Sequence, residues 1–112
     1  MKIAIPVAQE KLCLHFGHCE KFLVFDVDQA RKTVNGETSL EAPPHQPGLL
    51  PAWLAEKGVT CVIAGGMGSR AQNLFSERNI TVVTGAPSGD PKSIVNDFLE
   101  GKLSTGPNAC DH

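Results

Sequence analysis

Apolar positions fall into short runs divided by polar turns, and their spacing changes along the chain. Lys2 to Val7 and Lys21 to Val27 are too short and too rich in β-branched and aromatic residues for helices, so each predicts a buried strand. Ala8 to Glu20 between them predicts a loop. Asp28 to Arg31 can turn the chain into a third, polar strand over Lys32 to Leu40, whose composition suits a sheet edge. The segment from Ala42 to Gly48, with Pro43, Pro44 and Pro47, then breaks the sheet.

Beyond this break the period lengthens. Leu50, Trp53 and Leu54 define one face of a helix over Leu49 to Lys57, and Gly58 stands where a left-handed cap is wanted. Val59 to Ala64 predicts a fourth strand. Gly65 to Gly68 opens a second helix carrying Ala71, Leu74 and Phe75, and Ile80 to Thr84 predicts a fifth strand. Asp90 and Pro91 suit the N-cap and first turn of a third helix through Ile94, Val95, Phe98 and Leu99, closed by Gly101. Lys102 to His112 has no periodicity and reads as a flexible tail, disordered until a ligand orders it.

This order predicts one α/β domain over residues 1–101: a five-stranded mixed sheet in three layers, with an antiparallel start, parallel later strands and three helices. If the first strand runs upward, the Ala8–Glu20 loop, His45, Gly65–Gly68 and the segment from Gly85 to Asp90 all gather at one sheet edge. Ligands bind at that carboxyl edge in open α/β sheets. The tail starts at the opposite end, yet its 11 residues span up to roughly 35–40 Å and can return.

A chain of 112 residues with 41% hydrophobic and 20% charged residues is an ordinary globular composition with room for one core. The formal charge is −2 and the 10 Lys and Arg residues are scattered, which argues against a nucleic-acid partner. Without a signal-like start or a long apolar run, the expectation is a cytoplasmic protein with no membrane partner and reduced thiols.

The cysteines and histidines carry the candidate chemistry. Cys13-Leu14-His15 and Cys110-Asp111-His112 are both Cys-x-His, and residues two apart in extended backbone point to one side. His18 and Cys19 add a second pair within the first loop, and His45 follows the third strand. Thiolate and imidazole together favour an iron–sulfur cluster, Fe, Zn or Cu over hard cations. The lack of a Cys-x-x-Cys pair favours an open, exchangeable site. The bland readings are semi-buried loop thiols for Cys13 and Cys19, a turn residue for His45 and a frayed terminus for Cys110 and His112. Cys61, inside an apolar run, reads as a buried hydrophobe outside the site. The amides of Gly65, Gly66, Met67 and Gly68 suit an anion or an anionic cluster, although tight-turn glycines explain them equally well. Met67 reads as exposed packing or a soft ligand.

The first strand, His15-Phe16-Gly17-His18-Cys19-Glu20-Lys21-Phe22, and Val62-Ile63-Ala64-Gly65-Gly66-Met67-Gly68-Ser69-Arg70-Ala71 resemble the dinitrogenase iron–molybdenum cofactor biosynthesis family. That group of nitrogenase accessory-like proteins includes the molybdenum–copper orange protein. The resemblance spans nearly the whole chain. It implies a ribonuclease H-like fold that holds or ferries iron–sulfur or molybdenum-containing clusters between donor and acceptor proteins, with no reaction of its own. It also implies that His15 and the glycine-rich loop belong to the cluster face. Many members have an Arg-Ala pair where this chain has His18-Cys19, and many lack the Cys-Asp-His ending. Those departures point to a variant metal site, which a homodimer can share. Two other classes stay open: a ribonuclease H-like hydrolase using Asp26 and Asp28, and a redox sensor built on Cys13, Cys19 and Cys110.

Overall fold

Alternation of side chains along the central strand decides the architecture. In β1 (Lys2–Ala8), Ile3, Ile5 and Val7 face one core while Ala4 faces another, and all four are fully buried. A strand buried on both faces needs helices on both faces. The computed structural model describes residues 1–13, 19–43 and 48–106 and supplies them.

The elements are β1, β2 (Lys11–Leu12), β3 (Lys21–Asp28), β4 (Thr33–Glu41), α1 (Leu49–Glu56), β5 (Cys61–Ile63), α2 (Ser69–Glu77), β6 (Thr81–Val83) and α3 (Pro91–Leu99). The sheet order is β4-β3-β1-β5-β6, with β2 paired to β1 off this path. β3 and β4 are antiparallel neighbours, as are β1 and β3, while β1, β5 and β6 run parallel. Residues of α3 join Ile3, Ile5, Phe25, Cys61 and Ile63 in one core. Those of α1 and α2 pack with Ala4, Phe22, Val24 and Val62 in the other. The expected three-layer mixed α/β domain with three helices is therefore what forms.

One expectation needs correction, because the Ala8–Glu20 segment is not all loop. Val7 pairs with Leu12 and Ala8 with Lys11, so a two-residue hairpin adds a sixth strand. Its turn residues Gln9 and Glu10 have φ of 54° and 64°. Such turns ordinarily use Asn or Gly, so the sequence carried no hairpin signal. The Gln9 amide donates to the Glu20 side chain at 2.8 Å, which ties the turn to the start of β3.

Other local signals hold. Gly58 and Gly101 end α1 and α3 with φ of 82° and 73°. The Asp28 carboxylate accepts from the amides of Ala30 and Arg31 at 3.0 and 3.2 Å, forming the turn into β4. Asp90 caps α3 by accepting from the Ser93 amide at 3.0 Å.

Candidate functional site

From β1 the chain leaves toward β3 on one side, and from β5 it leaves through α2 toward β6 on the other. The sheet therefore has its switch point between the carboxyl ends of β1 and β5, the crevice position at which open α/β sheets bind their ligands. Cys13, Cys19, Ala42–Pro43, Ala64–Gly68 and Thr84–Gly89 all leave the sheet at this edge.

Backbone bonds fix these segments to one another. Cys13 N–H donates to the Pro6 carbonyl at 2.8 Å, and Glu20 N–H, next to Cys19, donates to the Val7 carbonyl at 2.9 Å. Consecutive residues of β1 thus anchor the two cysteine-bearing arms. Leu12 N–H donates to Gly89 O at 2.9 Å, and the Ser88 hydroxyl donates to Leu12 O at 3.0 Å, docking β2 on the loop after β6. Ala42 N–H donates to Glu20 O at 3.2 Å, joining the segment after β4.

The described thiols differ in setting. Cys19 is half-buried against the α1/α2 core, and its thiol is pushed up to about 11, first by desolvation, then by the charge of Cys13, with a backbone hydrogen bond opposing. The two sulfurs are therefore near enough to feel one another. Cys61 is fully buried beneath α3 and burial pushes its thiol up to about 11, as suits the hydrophobe expected there. Cys13, Cys19 and Cys61 are all thiols.

Of the remaining candidates, His15, His18, His45, Cys110 and His112 lie outside the described residues. Among the described residues no three His, Cys, Asp or Glu side chains group as a metal site. The glycine-rich segment stands at the crevice, but Gly65 and Gly66 are buried and only Gly68 is exposed. Met67, expected on the surface, is 1% exposed and packs in the core, while its carbonyl accepts from the Gln72 side chain at 2.9 Å. Gly68 precedes an α2 first turn with no side-chain cap and no acidic residue, which leaves that turn electrostatically suited to an anion.

Sequence reasoning missed Gly85 as a positioning residue. Its amide donates to Gly65 O at 2.9 Å and its carbonyl accepts from Gly106 N–H at 2.7 Å, so it couples the glycine loop to the returning tail. Leu103, partly buried on the α3 core, holds the tail on the way. The run Gly85-Ala86-Pro87-Ser88-Gly89 after a strand was the available signal. Asp26 and Asp28 lie at the opposite end of the sheet, where Asp26 pairs with Lys2. Among the described residues no helix is long and apolar enough to cross a membrane.

A family model described as dinitrogenase iron–molybdenum cofactor matches residues 1–101. An uncharacterised protein of Methanocaldococcus jannaschii is 32% identical over 106 residues, covering 92% of this chain and 89% of its own. Among solved structures, that of PH0822 superposes with a TM-score of 0.88 at 28% identity, covering 97% of each chain. The apo orange protein of Desulfovibrio gigas has the same fold, with a TM-score of 0.70 at 20% identity, covering 96% of this chain and 93% of its own.

Proposed function

The chain belongs to the dinitrogenase iron–molybdenum cofactor family, and from that footing we propose that it binds a metal–sulfur cluster and carries it between a donor and an acceptor protein. The cargo is an iron–sulfur or molybdenum-containing cluster, held at the crevice between the ends of β1 and β5. The observation that carries this reading is that Cys13 and Cys19 both stand at this edge, on arms anchored to consecutive residues of β1. Two thiols beside a first helical turn without acidic residues suit a cargo of soft metal and anionic sulfide.

His15, His18 and His45 belong to segments that enter and leave this edge, and complete the ligand set in this reading. Cys110 stands four positions beyond Gly106, whose amide is already bonded to Gly85 at the crevice. Four residues reach roughly 13 Å, more than two strand spacings, so Cys110 and His112 can close over the cargo. Carriage rather than catalysis follows from the chemistry offered. The hydrolase alternative needs carboxylates converging on Mg²⁺, whereas Asp26 and Asp28 stand at the far end of the sheet.

The test is anaerobic purification and reconstitution with iron and sulfide, with tetrathiomolybdate, and with Cu(I) or Zn²⁺ alone, followed by absorption spectra and metal and sulfide analysis. One cluster species bound stoichiometrically, and lost in Cys13→Ser and Cys19→Ser, is expected. A chain that retains none of these, or retains them equally in both variants, would falsify the reading.

A further inference from the structure

Glu20 is joined to three segments through three different groups. Its amide donates to Val7 O at 2.9 Å, its carbonyl accepts from Ala42 N–H at 3.2 Å, and its carboxylate accepts from Gln9 N–H at 2.8 Å. The two backbone bonds fix the Cys19 arm to β1 and to the segment after β4, and any residue other than proline could make them. The third bond belongs to the side chain alone. It reaches the β1–β2 hairpin, whose second strand leads directly into Cys13.

The turn of that hairpin needs support from outside. Gln9 and Glu10 fill both turn positions with φ of 54° and 64°. Left-handed backbone is disfavoured roughly 5- to 30-fold at each residue that is not glycine. Both residues are exposed, so core packing does little to offset the strain. The ladder behind the turn is short, with only Val7↔Leu12 and Ala8↔Lys11 as register pairs. Its far end is already held, because Leu12 bonds to Gly89 and Ser88 and the Cys13 amide bonds to Pro6. The strained end is the one that Glu20 holds.

The place of Glu20 in the chain gives this bond its consequence. The β1–β3 register ends at Val7↔Lys21, so Glu20 stands between the last paired residue of β3 and Cys19. A bond from Glu20 to the turn therefore sets the arm carrying Cys19 against the hairpin carrying Cys13. Ligand arms that arrive already set lose less freedom when a metal binds, and affinity rises accordingly.

We propose that Glu20 is a positioning residue for the metal site, holding the Cys19 arm and the Cys13 hairpin in register through the Gln9 amide. The proposal rests on the reading of this edge as a soft-metal site, and its test separates the two.

The experiment is Cd²⁺ titration of the full metal-free chain, read by thiolate-to-metal charge-transfer absorbance. Glu20→Ala should weaken Cd²⁺ binding roughly 3- to 10-fold, the worth of one hydrogen bond, without changing the shape of the band. Glu20→Gln keeps an acceptor oxygen and should stay within about 2-fold of wild type. Adding Gln9→Asn and Glu10→Gly to Glu20→Ala supplies turn residues that accept left-handed backbone, and should recover most of the loss. In metal-free Glu20→Ala the Gln9 amide proton should move upfield, marking the lost bond. Glu20 is exposed, and circular dichroism checks that each variant keeps the fold. Equal Cd²⁺ affinity in wild type and Glu20→Ala overturns the proposal and leaves the metal reading standing. A loss in Glu20→Gln as large as in Glu20→Ala, or one that the turn replacement does not recover, makes Glu20 a metal ligand and overturns it too. A wild-type chain with no charge-transfer band overturns both.

Discussion

The amide of Gly106 donates to the carbonyl of Gly85 at 2.7 Å, and the amide of Gly85 donates to Gly65 at 2.9 Å. Three glycines distant in sequence thus form one backbone relay from the tail to the glycine-rich loop. The approach requires bare backbone. Gly85 has φ +80°, and a Cβ there would collide with the carbonyl of Gly106.

Gly85→Ala should therefore undock the tail and destabilise the domain by about 1–3 kcal/mol, combining left-handed strain with lost contacts. Urea unfolding reads the stability, and faster proteolysis within residues 102–106 reads the undocking. Gly68→Ala is the control. Its φ is −64° and a Cβ there would meet nothing within 4 Å, so stability should stay within about 0.5 kcal/mol of wild type.

The fold was legible because burial dictates period. Ile3, Ile5 and Val7 against Ala4 wrote a two-sided strand, and Leu54, Phe75, Ile94 and Val95 wrote helices that cover it. The hairpin at Gln9-Glu10 was not legible, since its left-handed turn uses residues that ordinarily avoid it and is held by distant Glu20. Nor was the role of Gly85, which depends on a tail 21 positions further on. Of the candidate site, the strand directions correctly carried Cys13, Cys19 and Gly65–Gly68 to one edge. They could not show that Met67 turns inward, because composition alone does not separate a buried methionine from a surface one.

Asp90 is the one described side-chain helix cap, accepting from both the amide and the hydroxyl of Ser93 at 3.0 Å. Asp90→Ala should cost about 1 kcal/mol in urea unfolding. Gly89, one position earlier, accepts from Leu12 N–H, so a loosened helix start should also speed hydrogen exchange at Leu12.

Cys61 makes the domain sensitive to alkali. Its thiol is raised from 9.0 to about 11 by burial, so the folded state holds the proton more tightly than the unfolded chain. That contribution is fully present below pH 9 and is lost as pH rises toward 11, on the order of 3 kcal/mol for a fully buried thiol. Cys61→Ala should be less stable than wild type at pH 7 because of its cavity. The gap between the two should narrow as pH rises from 9 to 11. A constant gap would show that Cys61 does not titrate in this way.

The Cys19 thiol should respond to its neighbour Cys13. Desolvation is the larger cause of the raised Cys19 thiol and the charge of Cys13 the next, so Cys13→Ser should lower Cys19 from about 11 without returning it to 9.0. The measurement is thiolate ultraviolet absorbance against pH in a Cys61→Ala, Cys110→Ala background, with and without Cys13→Ser. An unmoved Cys19 curve would mean that the two sulfurs do not share the crevice. Because both thiols must ionise to hold a soft metal, loading at neutral pH releases protons, and affinity should climb with pH. Unbuffered protein mixed with Zn²⁺ should acidify, and Cys19→Ser should reduce the proton release.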